Sequence, residues 1–566
     1  MEASMKLGPH RLILNILDQL AQSEPDKVYA ELPISLTDFS AGFRHITYRV
    51  LDNAVNGVAW WLTETLGPAQ DFPTLAYVGP NDLSHNLLLL GAIKAGYKML
   101  FFWPRYSTEA QVRLMKAVDC QNILTSSVSS PLSQLVETIA KEHGSAKVTQ
   151  IPELASFFDD KHQVFPYKKS FEEARGDPLV VVHTSGTTGF PRPIIWNHDW
   201  AASFAYQRYL EPPAGWESID RLILGRRVLS LMPPYHASHL FASILFTFYC
   251  GNTCIYPPAL ALPTAQIAAE ASSYTEVKAI TVVPPHIEQL GANTELLDTL
   301  VRNGAETVFW AGGPVSSAAA DAVSSRLKLF NTCGSTEMGM WPVIRKSGPW
   351  DPSISRYMCF HPQANVQLRP QSENVFKAVV VKNDSDTEIQ PPFPIFPSIT
   401  EYDSGDLFSP VAEPDKDYLW SYVGRSDDMQ VFKNGLKWHP TAAEQKIISD
   451  NRDVIQEALL DGTNHAHVVL LLELVSEFSN KLAALPEGEQ AKEKAAILDG
   501  IWPTIEGINR VAPDWVQIDR QRVVFAEPGK PLARTAKGSI RRLFAVTDYK
   551  SQIDDVLESV GVKSEA

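Results

Sequence analysis

Six times between residues 75 and 337 the chain repeats one pattern: a short apolar run ends at glycine, proline or a small polar residue, and helical periodicity then resumes. The runs are LAYVGPND (75–82), LVVVHTSG (179–186), VLSLMPPYH (228–236), AITVVPPH (279–286), TVFWAGGP (307–314) and LKLFNTCGSTE (327–337). Buried strands alternating with helices make an α/β fold. In such folds ligands collect outside the carboxyl ends of the strands, where strand-to-helix loops and helix N-termini offer free backbone N–H groups. The polar clusters of this chain stand at those ends. Ahead of them, Ile13, Ile16, Leu17 and Leu20 recur at helical spacing. A second helix is predicted to open at Thr47, with Leu51, Val55, Val58, Ala59 and Leu62 on one face.

The 566 residues exceed a usual single core, so one large or several medium domains are expected. With 45% apolar and 20% charged residues the composition is that of a soluble globular protein. The longest apolar run, at 87–103, is broken by Lys94 and Lys98 and reads as a buried helix passing into a buried strand, not a membrane span. Glu2, Lys6, His10 and Arg11 precede no apolar signal core, which makes the cytosol the expected location. Cys120, Cys250, Cys254, Cys333 and Cys359 are odd in number and lack C-x-x-C spacing, so buried thiols are expected, not disulfides or a zinc site. A net charge of −15 disfavours nucleic acid as a partner.

After residue 370 the runs become shorter and β-like, with a proline-rich connection at 391–397, then YDSGDL (402–407) and GRSDD (424–428). This reads as a domain edge. A charged stretch at 480–496 is expected to be an exposed helix or loop, and a basic stretch, KPLARTAKGSIRR, follows at 530–542.

HTSGTTGFPRP (183–193) is the chain's phosphate-loop candidate. It is no P-loop: that motif needs Lys and a hydroxyl directly after the second glycine, and Phe190 and Pro191 follow Gly189. Thr184, Ser185, Thr187 and Thr188, with backbone N–H groups around Gly186 and Gly189, can instead surround a triphosphate. Arg192 supplies a cation, with a planar fork in place of a lysine's point charge. Pro193 stiffens the strand that follows.

TSGTTGFPRP, NTCGSTE (331–337), YDSGDL and GRSDD, in that order, resemble the core motifs of the adenylate-forming superfamily. KAGYKMLFFWPRYS (94–107) further resembles the adenylation domains of fungal nonribosomal-peptide-synthetase-like carboxylate reductases. The resemblance implies a large N-terminal α/β core over 1–424, its sheets flanked by helices, and a small mobile α+β lid over 425–566. It also implies the chemistry: a carboxylate attacks the α-phosphate of ATP, pyrophosphate leaves, and a thiol takes the acyl group. Carboxylates are poor nucleophiles, so catalysis should rest on positioning and on cations placed where charge develops.

On this resemblance Glu337 is the magnesium ligand and Thr336 the hydroxyl that meets phosphate. Asp406 takes the ribose hydroxyls, with Tyr422 and Arg425 beside it, and Gly312, Gly313, Pro314, Asn331 and Thr332 line the adenine. Cys333 stands where the family often has an aromatic. His236 resembles the gating histidine that meets the substrate carboxylate; the absence of an aspartate there argues against an α-amino acid. Strand ends point to Val283, Pro284, Trp310, Ala311, Gly334, Met338 and Met340 as the acid pocket, small and apolar enough for an aryl or apolar acid. Lys537 is the first choice for the lysine bridging carboxylate and α-phosphate, with Lys530 in reserve. Lys433 meets the nucleotide or lines the thiol's approach, with Gly435 leaving room for a pantetheine arm. The hinge falls between Gly424 and Asp427, with Asp427 as pivot.

The expected cofactors are ATP, Mg²⁺ and a phosphopantetheine carried by a separate thiolation domain, and the expected partners are a small carboxylic acid and that carrier, with neither nucleic acid nor membrane. A carboxylate reductase is the expected parent enzyme. A free-standing aryl- or acyl-CoA ligase, a thioesterase-ending synthetase and a degenerate nucleotide-binding scaffold stay open.

Overall fold

A computed structural model describes residues 10–104, 106–126, 131–185, 190–372, 374–383, 387–433, 436–534 and 540–561. Among these, two sheets carry the six sequence units. One runs, in spatial order, Lys147–Gln150, Asn122–Thr125, Thr74–Val78, Lys98–Phe101, Pro178–Ser185 and Pro191–Asn197. The other runs Lys328–Asn331, Thr307–Trp310, Ala279–Val282, Arg227–Ser230, Thr253–Ile255, Val28–Pro33 and Phe43–Thr47. In each sheet only the last pair is antiparallel. Parallel strands need crossover connections that place helices on the sheet faces, which is why these runs are apolar throughout instead of alternating.

Strand geometry still sorts the residues two by two. Leu75 and Tyr77 enter a core shared with Val228, Ala279 and Phe309 of the other sheet. Their neighbours Ala76 and Val78 enter a second core on the opposite face. Likewise Phe309 joins the shared core, whereas Trp310 turns to a third core with Val282 and Leu329.

The predicted helices are present as Ile13–Ser23 and Tyr48–Leu66, the latter capped by the Thr47 side chain, which accepts from the Val50 N–H. The 87–103 run divides as expected into Ser84–Ala95 and Lys98–Phe101. Lys94 is tolerated in that buried helix because its ammonium lies 3.5 Å from Asp18 and 3.6 Å from Asp52. Removing the ammonium would leave both carboxylates without this partner.

A third, antiparallel sheet orders Val366–Ser372, Val375–Val381, Glu401–Pro410, Trp420–Arg425, Tyr357–Phe360, Val343–Lys346 and Trp216–Ser218. It brings YDSGDL and the start of GRSDD side by side, with Asp406 opposite Arg425. Beyond it, Ile455–Asp461, Val469–Leu474 and Val523–Phe525 form a smaller sheet whose cores draw only on residues from 432 onward. The fold is thus α/β with sheets flanked by helices, followed by a smaller α+β region. The charged stretch at 480–496 falls in two helices, Ser476–Ala484 and Glu487–Val511. Cys120, Cys250 and Cys254 are buried free thiols, but Cys333 and Cys359 are only partly covered, a correction to the expectation of five buried thiols. Among the described residues no helix is long and apolar enough to cross a membrane.

Candidate active site

The strand Pro178–Ser185 and the strand Pro191–Asn197 form a hairpin in which Thr184 pairs with Arg192 and His183 with Pro193. The second strand is a sheet edge, so Pro193 sits where a missing N–H costs no ladder bond. The tip, Gly186, Thr187, Thr188 and Gly189, lies outside the described residues, as do Gly435 and Lys537. Ser185 closes the first strand. Behind Thr184, His183 is buried, its Nδ1 lying 3.2 Å from the Tyr106 hydroxyl. Burial lowers the imidazole to about 4 and raises the phenol to about 12, so both stay neutral at pH 7.

Thr184 and Arg192 face a cleft whose walls also carry Thr336, Glu337, Asp406 and Arg425. Four separate sequence motifs therefore converge on one space. Asp406 is 4% exposed and accepts from Arg425 Nη1 at 3.2 Å, and the same Nη1 donates to the Ser404 carbonyl at 2.8 Å. The guanidinium orients the buried carboxylate that faces the cleft. Tyr402 meets the Ser335 hydroxyl at 3.3 Å; burial first, then the charge of Glu337, raises its pKa, so the phenol stays neutral. Tyr422 is held neutral in the same way, chiefly by burial. Gly312, Gly313, Asn331 and Cys333 line the same cleft, as does Asp427, which lies 3.8 Å from Arg425. Gly424 has φ +148°, and a Cβ there would stand 2.4 Å from the His439 ring, which receives the backbone at this junction.

Beside the cleft lies a small, mainly apolar cavity. His236, Gly334, Ser335 and Thr336 border both spaces. The rest of the cavity wall is mainly apolar, including Met232, Phe241, Phe246, Phe309 and Met340. His236 caps the short helix Ala237–Leu240: its Nδ1 accepts the Ser238 N–H at 3.1 Å, which leaves the ring proton on Nε2.

Several expected pocket residues are placed elsewhere. Ala311, Gly334 and Met340 line the cavity, but Trp310 does not, because strand alternation turns it into the third core, where its indole donates to the Gly313 carbonyl at 3.2 Å. Met338 is fully buried in the shared core. Val283 and Pro284 begin the helix Pro284–Ala292, and Pro284 abuts Gly313 instead of the cavity. Thr332 borders the cavity, its hydroxyl donating to the Trp310 carbonyl at 2.9 Å, and Pro314 is on neither wall. Lys530 is tied to the Asp548 carbonyl at 2.5 Å and lies over Tyr549, outside the cleft lining. Lys433 is exposed and also outside the lining, although its N–H donates to the carbonyl of His465, a lining residue.

Sequence reasoning missed Trp196 and Trp200. Their indoles donate to the Thr336 and Glu337 carbonyls, each at 2.8 Å. Two indoles spaced by four residues at the end of the hairpin's second strand and in the helix that follows were the available signal.

Residues 17–374 match the AMP-binding enzyme family, and residues 427–561 match the C-terminal domain of AMP-binding enzymes. The chain belongs to the AMP-binding enzyme family. The adenylate-forming resemblance is thereby borne out, and this AMP-binding enzyme is of the acid-adenylating, ligase type. It is 31% identical to a carboxylic acid reductase of Neurospora crassa over 97% of its own length and 51% of the relative's. It is 26% identical to the adenylate-forming reductase Nps11 of Serpula lacrymans, over 87% of its length and 44% of the relative's. It thus spans about half the length of these curated relatives. In fold it resembles ATP-bound MatB from Rhodopseudomonas palustris, with TM-score 0.67, 16% identity, and coverage of 95% of this chain and 99% of the other. A benzoate CoA ligase from Burkholderia xenovorans gives TM-score 0.63 at 17% identity, covering 94% and 99%.

The oxygen donors of Thr336 and Glu337 on the cleft wall suit a hard divalent cation that arrives with its own phosphate and water ligands. Among the described residues, no group of three or more His, Cys, Asp or Glu side chains could hold a metal without such help.

Proposed function

We propose that this enzyme joins an apolar or aryl carboxylic acid, with no charge besides its carboxylate, to AMP and passes the acyl group to the phosphopantetheine thiol of a carrier domain, as the adenylating part of a reductase-type enzyme. The observation that carries the reading is the meeting of Thr184, Arg192, Thr336, Glu337, Asp406 and Arg425 in one cleft that adjoins an apolar cavity across His236.

In this reading Asp406 accepts from both ribose hydroxyls while Arg425 keeps its carboxylate oriented. Thr184, Thr336 and Arg192 hold the phosphate chain, and Glu337 holds magnesium, which neutralises phosphate charge when bound. His236 offers its Nε2 proton to one oxygen of the acid, leaving the other aimed at the α-phosphorus. That oxygen forms the new P–O bond, and the bond to the bridging oxygen breaks with its electron pair on pyrophosphate. Placement does most of the work, since the nucleophile is already ionised. Lys537 neutralises charge between carboxylate and α-phosphate. A swing about Asp427 then exchanges that lysine for the thiol's approach past Lys433. The division at 424/425 and a cytoplasmic setting belong to the same proposal.

The apolar cavity favours acids without a second charge: among its described lining side chains His236 is the one that can become cationic. Incubation with ATP, a panel of aryl and aliphatic acids, and hydroxylamine should yield hydroxamates from the acids without a second charge. Adding a pantetheinylated carrier domain of an adenylate-forming reductase should then give acyl-carrier by intact mass. Acylation of free CoA but of no carrier would replace the carrier reading with a CoA ligase.

A further inference from the structure

The turn that carries Thr336 and Glu337 rests on a stripe of side chains spaced four residues apart. Trp200 and Phe204, with Arg208 at the C-cap, follow one another at four-residue spacing up one face of the helix His198–Gln207, and Trp196 joins them from the end of the preceding strand. The Trp196 and Trp200 rings lie parallel at 3.8 Å, and Phe204 continues the stack 5.9 Å from Trp200. Each member grips a successive part of the turn. Trp196 donates to the Thr336 carbonyl and Trp200 to the Glu337 carbonyl, both at 2.8 Å. Gly339, at φ +71°, lies so close on Phe204 that a Cβ would stand 2.7 Å from the ring. Arg208 is fully buried, paired with Asp220 at 3.0 Å, and donates to the Met340 carbonyl at 2.8 Å.

None of these four side chains reaches the cleft wall. One neighbour does reach a ligand space: Phe241 stacks on Phe204 at 5.1 Å and on Trp196 at 5.5 Å, and also forms part of the acid cavity wall. It lies in the single stretch of π-helix among the described residues, Phe241–Leu245, a wide turn of the kind that often marks a functional site.

We propose that Trp196, Trp200, Phe204 and Arg208 form a positioning rack that holds Thr336 and Glu337 at the phosphates and metal, and that Phe241 joins this rack to the acid cavity. These are positioning residues, acting through the turn and through Phe241 without touching the nucleotide. The inference rests on the assignment of Thr336 and Glu337 to the triphosphate and magnesium. Because packed aromatic stacks are stiff, a change at either end is carried to the other instead of being absorbed.

The test compares ATP with AMP by calorimetry, because AMP lacks the pyrophosphate that the turn would meet. Trp200→Phe and Trp196→Phe keep a ring and lose the N–H donor. Each should weaken magnesium-ATP binding by about three- to tenfold, the range for one lost hydrogen bond, and leave AMP binding unchanged. Both should also raise the magnesium concentration needed for half-saturation with ATP. Phe241→Leu, outside the cleft, should weaken magnesium-ATP in the same selective way. Equal weakening of ATP and AMP, or unchanged ATP binding in the three variants, overturns the rack.

Wild-type protein labelled with ¹⁵N-tryptophan gives a check that needs no variant. Magnesium-ATP should shift the Trp196 and Trp200 indole resonances and AMP should not; indole signals blind to both nucleotides contradict the proposal. These measurements use no acid. A failure to adenylate any acid would therefore count against the proposed function, while the ATP-to-AMP comparison would still decide the rack.

Discussion

The cleft and the cavity share His236 and the turn at Gly334, Ser335 and Thr336, yet they are built from opposite materials. The cleft is the more polar of the two, and the residues that mark it in sequence come from strand ends and hairpins, where a hydroxyl, a buried carboxylate or an arginine stands out against apolar neighbours. The cavity is walled by Met, Phe, Ile and Ala, the same residue types that fill the cores. A polar site announces itself in sequence because burying such groups without a purpose is costly. An apolar site is chemically indistinguishable from packing until the strand faces and helix rotations are known.

Substitution should separate nucleotide chemistry from acid selection, apart from the coupling proposed through Phe241. The largest loss is expected in the cleft: Glu337→Gln removes the charge at the phosphates and should lower adenylation by at least about a hundredfold, read from pyrophosphate release at saturating acid. Ala242→Phe fills the cavity wall and should lower kcat/KM for bulky acids by about 10- to 100-fold relative to small ones, measured at saturating ATP. An unchanged ratio between bulky and small acids would show that this wall does not select the acid.

Trp310→Phe sharpens the contrast from the other side. It removes ring volume from the third core and should cost about 1–3 kcal/mol of stability by denaturant titration, without reordering acid preference. A changed preference would restore Trp310 to the pocket.

The smallest effect concerns pH. His183 is neutral in the fold with its pKa lowered to about 4, against roughly 6.5 when unfolded. Between those values the unfolded chain binds a proton that the folded chain refuses, so this residue's contribution to stability falls as pH drops from about 6.5 to 4. His183→Gln should flatten the decline of the thermal midpoint over that window; an unchanged slope would show that His183 protonates freely.

The sequence's legibility followed the same division. LVVVHTSG, AITVVPPH and TVFWAGGP gave the parallel strands correctly, because apolar runs ending at small residues have few other uses. YDSGDL and GRSDD gave Asp406 and Arg425 as members of one site, and antiparallel pairing puts them opposite each other. The pocket was harder. Ala311 and Met340 line the cavity, but Trp310 and Met338 are not separable from them in sequence without knowing which way each side chain turns. Phe241 and Phe246 were passed over because an apolar helix after PPYHASH reads as core. Trp196 and Trp200 act through backbone carbonyls of a turn some 140 residues away, a contact that no local pattern specifies.

The central claim is that the cleft activates an acid held in the cavity at the α-phosphate of ATP. Acid-dependent exchange of labelled pyrophosphate into ATP reads that step alone, before any thiol is involved. The account predicts exchange with at least one apolar or aryl acid, and its loss in Asp406→Ala. ATP binding with no exchange across the whole panel, or exchange that survives Asp406→Ala undiminished, would contradict it.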